Sequence, residues 1–253
     1  MSNAGPARPA ATRNSAGTAA NHKTKEPQCK RLVTRTLEAC RLAHEAAGIA
    51  AEVIATGSLV LLQGLRERER KLDELDREID SGVTESITEV SAGGARELLA
   101  CMKITIGVER IGDLLLSFAS GAEAAGSRVD PQDCRDLTRM ATVLEKMLAD
   151  VEAAFAQRDA GRALEVLRAD TEIDRLRDLI LQRHLENPEN IARHASTQVI
   201  FMTQSLERAG DHAKNSAEEV CHLVSGRPVR HLMTTSDMPV EQMVAEWLQA
   251  RGQ

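Results

Sequence analysis

The sequence predicts an all-α fold: a tandem repeat of two three-helix bundles, with a disordered N-terminal tail and a short C-terminal helix. Three observations lead there. Ala, Leu, Glu and Arg dominate, while aromatics make up 2% of the chain, with no Tyr and one Trp; that composition favours helices over sheets. Val108-Glu109-Arg110-Ile111-Gly112-Asp113 returns 98 residues later as Leu206-Glu207-Arg208-Ala209-Gly210-Asp211, and Leu72-Asp73-Glu74-Leu75 returns 101 residues later as Ile173-Asp174-Arg175-Leu176. Two patterns in the same order at nearly the same spacing mark a duplication. Finally, long apolar-periodic segments are separated by Gly, Ser and Pro breaks, the punctuation of helices joined by short turns.

Residues 1–28 are rich in Ala, Ser, Thr, Asn and Pro and lack an apolar core. They read as a disordered tail, with a basic transit peptide as the alternative. The first bundle is assigned to 29–126. Its first helix runs from about Leu32 to Thr56, and Gly57-Ser58 ends it, with Ser58 placed to cap the next helix. That helix runs from about Leu59 to Val90, loosened at Ser81-Gly82. Ser91-Ala92-Gly93-Gly94 is a turn, and the third helix spans about Ala95 to Ala125. Gly126 to Pro131 links the copies. The second bundle, 130–228, repeats the scheme from about Gln132 to Gln157, Arg162 to Leu185 and Glu189 to Val224. Asp159 stands where Ser58 stands in the first copy, and Pro188 suits a first helical position. In the remaining segment, 229–253, Val240, Met243, Val244, Trp247 and Leu248 share one face of a short amphipathic helix. It either packs back on a bundle or anchors a partner.

The net charge is -6, and the first 25 residues carry Arg8, Arg13, Lys23 and Lys25 with no acid. The body is therefore strongly acidic, which argues against nucleic acid as a partner. The five cysteines, Cys29, Cys40, Cys101, Cys134 and Cys221, contain no CxxC pair; the expectation is a reduced, cytoplasmic protein. The most apolar run, Ala46 to Leu65, contains Glu52 and Gln63 and reads as a bundle helix rather than a span.

The chemistry lies in the acids. Residues four apart share a helical face, so Glu69 with Asp73, Glu109 with Asp113, Asp170 with Asp174, and Glu207 with Asp211 each point together. If neighbouring helices pack side by side, four carboxylates converge in each bundle. They must then protonate, pair with basic groups or hold a cation. All-oxygen donor sets suit Mg, Ca, Mn or iron. Arg110 and Arg208 adjoin the acids but project about 100° away. Gly112 and Gly210 sit mid-helix, where glycine costs about 1 kcal/mol against alanine; the expectation is that a missing side chain lets a neighbour approach. Taken singly, each acid pair is more often a solvated surface pair; the repetition is what favours a metal.

These residues resemble the PhoU family of phosphate-signalling proteins, whose hallmark is a pair of E(D)xxxD motifs in each of two three-helix bundles. The matching positions are Glu69 and Asp73, Glu109 and Asp113, Asp170 and Asp174, Glu207 and Asp211. The run Glu207 to Val220 is similar to the family's C-terminal signature, and the resemblance covers about Leu32 to His231. It implies multinuclear Fe, Zn, Mg or Mn sites on the bundle surface, with Asn215 extending the second one. It also implies a non-enzymatic role: restraining the phosphate regulon through a transporter ATPase and a sensor histidine kinase at the membrane face, often as a homodimer. One departure is that Leu-Leu-Leu-Ser follows Asp113, with Ser117 in place of that Asn, which implies a first site holding fewer ions or none. Two other readings compete. A helical adaptor would leave the acids solvated. A di-iron oxidase would need Glu-x-x-His pairs, which neither motif supplies. His44, His184, His194 and His222 are scattered and read as packed or surface side chains.

Overall fold

The computed structural model describes residues 16–58, 60–186 and 193–226, with side chains described from Gln28 onward. Six helices follow one another: α1 (Ala16–Thr56), α2 (Leu61–Ser86), α3 (Ala92–Ala125), α4 (Pro131–Gln157), α5 (Ala160–Glu186) and α6 (Arg193–Ser225). Short 3-10 turns, Ile87–Glu89 and Gly126–Arg128, precede α3 and α4. The C-terminal segment with Trp247 and the Asn187-Pro188 turn lie outside the described residues, as do residues 1–15 of the tail. Helix α1 begins at Ala16, ahead of Leu32, where the apolar periodicity starts; Ala16, Ala19 and Ala20 are strong helix formers.

The ends of the helices follow local chemistry. Gly57 (φ 69°) turns the chain out of α1, a left-handed conformation that glycine adopts without strain. Ser91 Oγ accepts from the Gly94 amide, and Asp130 accepts from the Gln132 amide ahead of Pro131 at the first position of α4. Ser58 does not act as a cap. Helix α2 starts two residues later than expected, behind Val60, and the Ser58 amide instead donates to Thr56 Oγ1 at 3.2 Å. Asp159, its counterpart, does cap α5: its Oδ1 accepts from the Arg162 amide at 3.1 Å. Nor does Ser81-Gly82 loosen α2. The helix runs through it because Gly82 faces α1, where a Cβ would come within 2.7 Å of Leu32 Cδ2.

Helices α1, α2 and α3 pack mutually, as do α4, α5 and α6. The two bundles do not stand apart. The most extensive helix pairing joins α3 to α6, the second joins α1 to α4, and the buried apolar residues form one continuous cluster. Alanines line the α1 face (Ala39, Ala43, Ala46, Ala47, Ala50) and glycine marks the close crossings. A Cβ on Gly48 would lie 2.9 Å from Glu145 Oε1 of α4, and one on Gly107 would lie 2.8 Å from Ser216 Oγ of α6. Because Lys103 pairs with Glu219 while Gly121 meets Met202, α3 and α6 run antiparallel. Their two copies of the Glu-Arg-x-Gly-Asp motif therefore lie side by side.

One buried polar chain ties the second bundle. His184 is 4% exposed; its Nε2 meets Asp133 Oδ2 of α4 at 2.9 Å and its Nδ1 meets Ser196 Oγ of α6 at 2.8 Å. Arg183 holds the other Asp133 oxygen. An Nε2–H donor and an Nδ1 acceptor satisfy every member, so the cluster fixes three helix ends without an orphaned charge.

Candidate functional site

The sequence places two acid pairs in each bundle, and the structure brings each set onto facing helices. In the first bundle the charges of Asp73 and Asp113 both act on Glu69, and those of Asp113, Asp76 and Asp73 act on Glu109. Glu69 and Glu109 are therefore held above the usual carboxylate range, by burial first and by their neighbours second. Asp76 is raised in the same way, by burial, Asp80 and Asp73. Asp76 is an acid the sequence reading missed. It lies seven residues beyond Glu69 and three beyond Asp73, a spacing that keeps it on the same face. Among the described residues, the only basic side chain bonded to this patch is Arg77, 3.0 Å from Asp73 Oδ2 and 72% exposed, an arrangement that contributes little.

The second bundle carries four acids at the matching positions, with Asp170 in place of Glu69, and two cations among them. Lys214 Nζ lies 2.6 Å from Asp170 Oδ2, which is 6% exposed. Arg177 Nη1 lies 2.8 Å from both Asp174 Oδ1 and Glu207 Oε1 and so bridges α5 and α6. Burial still raises Asp170, while Lys214 opposes the shift. Asp211 is exposed on α6, where its charge reaches Asp170 and Lys214, and Asn215 follows one turn later, half-buried. The first patch is thus the one short of positive charge.

Both motif glycines do what their position implied. A Cβ on Gly112 would lie 2.8 Å from Leu72 Cδ1, and one on Gly210 would lie 3.0 Å from Ile173 Cδ1. The missing side chains let α3 close on α2 and α6 close on α5 beside the acids. Arg110 lies three residues beyond Gly107 on α3 and Arg208 four residues before His212 on α6, spacings that put both exposed arginines beside the α3–α6 seam. There the His212 imidazole is held below its ordinary value, by burial first and then by Arg110 and Arg208. His212 therefore stands with the arginines and not among the acids.

Among the described residues, no three His, Cys, Asp or Glu side chains converge closely enough to hold one metal ion. The donor chemistry of the first patch fits a hard cation: five carboxylates, mutually repelling, with one exposed arginine. The second patch fits less well, since an ammonium and a guanidinium already pair with three of its four acids.

The PhoU domain family model matches residues 36–121 and again residues 137–220. The chain belongs to the PhoU family. A PhoU homolog of Pseudomonas putida, named a phosphate-specific transport system accessory protein, is 33% identical over 194 residues, covering 74% of this chain and 72% of the relative. Another so named, from Rhizobium meliloti, is 28% identical over 208 residues, covering 79% and 87%. The crystal structure of PhoU from Pseudomonas aeruginosa superposes with a TM-score of 0.74 at 26% identity over 80% of this chain and all of that one. The phosphate transport system regulatory protein PhoU from Streptococcus pneumoniae has the same fold, with a TM-score of 0.74 at 19% identity over 81% of this chain and 98% of that one. The two family matches coincide with the two bundles, and each contains one copy of the Glu-Arg-x-Gly-Asp motif. No helix among the described residues is long and apolar enough to cross a membrane.

Proposed function

We propose that this chain is an accessory regulator of a phosphate-specific transport system, acting by binding rather than catalysis, and that its first acid patch takes a hard metal cation. The observation that supports the reading is the pairing of a PhoU match in both halves with a patch of unneutralised carboxylates on the motif itself. Glu69, Asp73, Glu109 and Asp113 are the candidate ligands, with Asp76 beside them, and their side chains would have to turn inward from their present positions to share one ion. The bound ion would supply the positive charge that Lys214 and Arg177 supply in the second half. The residues do the rest: Gly112 keeps α2 and α3 close, and the acids fix their register.

The partners this reading names are a transporter ATPase and a sensor histidine kinase, with the protein acting in the cytoplasm as a homodimer at the membrane face. The adaptor reading, without metal, is favoured for the second patch alone, because three of its four acids are already paired.

Elemental analysis of protein purified without an affinity tag tests the metal. We expect bound Fe, Zn, Mg or Mn in the parent, lost in Glu109→Gln/Asp113→Asn and retained in Glu207→Gln/Asp211→Asn. Metal content unchanged by the first pair of substitutions removes this site. Co-purification with the transporter ATPase, scored against the sensor kinase, tests the partner; binding to neither removes the regulatory reading.

A further inference from the structure

The geometry points to a second, cationic site: Arg110, Arg208 and His212 form a binding site for a phosphate-type oxyanion on the seam where α3 and α6 run antiparallel. The two arginines occupy equivalent positions of the duplicated motif. The antiparallel register, fixed by Lys103–Glu219 on one side and Gly121–Met202 on the other, brings the two copies alongside each other. Gly107 allows the close approach, its Cβ position lying 3.6 Å from the His212 carbonyl. The register thus sets Arg110 across the seam from His212, with Arg208 one turn away on α6, and the charges of both act on that imidazole. Both guanidiniums are exposed, and among the described residues neither forms an ion pair with any acid. Of the acids in their own motifs, Glu109 feels the charge of Arg110. Asp211 alone bears on His212 with the opposite sign.

Two guanidinium forks and an imidazole N–H can together donate to several oxygens of one tetrahedral anion, a geometry that point charges do not match. Two like charges gathered without a counter-ion gain most from a dianion. The surface from α2 to α5 then reads acidic, basic, acidic, so an anion would sit between the two patches. The shared chemistry is a phosphate dianion, free or as a monoester on a partner. The inference requires neither metal in the acid patches nor any named transporter partner.

The test titrates the full chain with inorganic phosphate and, in a separate arm, with phenyl phosphate. Both use chelator, so that phosphate held through a metal is not read, and about 20 mM salt, where screening is weak. Calorimetry gives the affinity, and the His212 signal in a spectrum of ring-labelled histidine reports the place. We expect the parent to bind at least one of the two anions with a shift of His212. Binding should be about a hundredfold weaker in Arg110→Ala/Arg208→Ala, whose melting temperature should stay that of the parent because both side chains are exposed. Phosphate binding assigns a free-ion site; phenyl phosphate binding alone assigns a monoester on a partner. No binding of either, or equal affinity in parent and double variant, overturns the proposal.

Discussion

In the second half of the chain Lys214 and Arg177 stand inside the acid patch; at the same two places of the repeat the first half has Leu116 and Asp76. The four motif acids are otherwise alike. One half thus offsets part of its negative charge with its own side chains, pairing three of the four carboxylates, and the other adds a fifth carboxylate. The difference teaches that a duplicated motif specifies where acids go and not what they do. A cation one turn away decides whether a patch is a closed ionic network or an open one.

The comparison can be broken at several points. Lys214→Met leaves Asp170 buried without its partner, and truncating one member of a buried pair is costly. We expect a loss of about 2–3 kcal/mol in urea denaturation; a loss under about 0.5 kcal/mol would mean that the ammonium is dispensable and the second patch as open as the first. A divalent cation at a hundredfold excess over its Kd should stabilise the parent by about 2.7 kcal/mol. Asp76→Arg/Leu116→Lys, which copies the second half onto the first, should abolish that gain in a thermal-shift series.

Gly112→Ala meets a tighter contact than Gly210→Ala. Overpacking should cost the first about 1 kcal/mol net of the helix-propensity gain, and the second close to nothing; equal melting temperatures would show that Leu72 yields as easily as Ile173. The smallest effect is electrostatic. Glu69, Asp76 and Glu109 titrate above the usual carboxylate range in the fold. Their contribution to stability is therefore full below the unfolded values and is lost as pH rises through the folded ones. Metal-free Glu109→Gln should match the parent near pH 4 and exceed it by less than about 1 kcal/mol at pH 7; a difference that shrinks as pH rises contradicts the repulsion.

Much of this was legible beforehand, and what was missed has physical causes. The helices and the duplication followed from apolar periodicity and repeated motifs, which are local signals. The pairing of Lys214 with Asp170 was not legible, because 44 residues separate them and only the packing of α5 on α6 brings them together. Asp76 was legible in principle, since its spacing from Glu69 is helical, but it lies outside the repeated E(D)xxxD motif. Ser58 looked like a cap on residue type alone; the turn after Gly57 carries the chain two residues further before α2 begins. The strongest helix pairing, between the copies, has no sequence signal beyond Gly107 and Gly121, whose spacing of 14 residues puts both on one face of α3.

That pairing also governs how the molecule can come apart. With α3 seated on α6 and α1 on α4 over a single apolar cluster, cutting at Gly126–Arg128 would strip two long apolar helix faces on each fragment. The repeat is thus a unit of ancestry that has ceased to be a unit of folding: one cooperative melt, and insoluble halves.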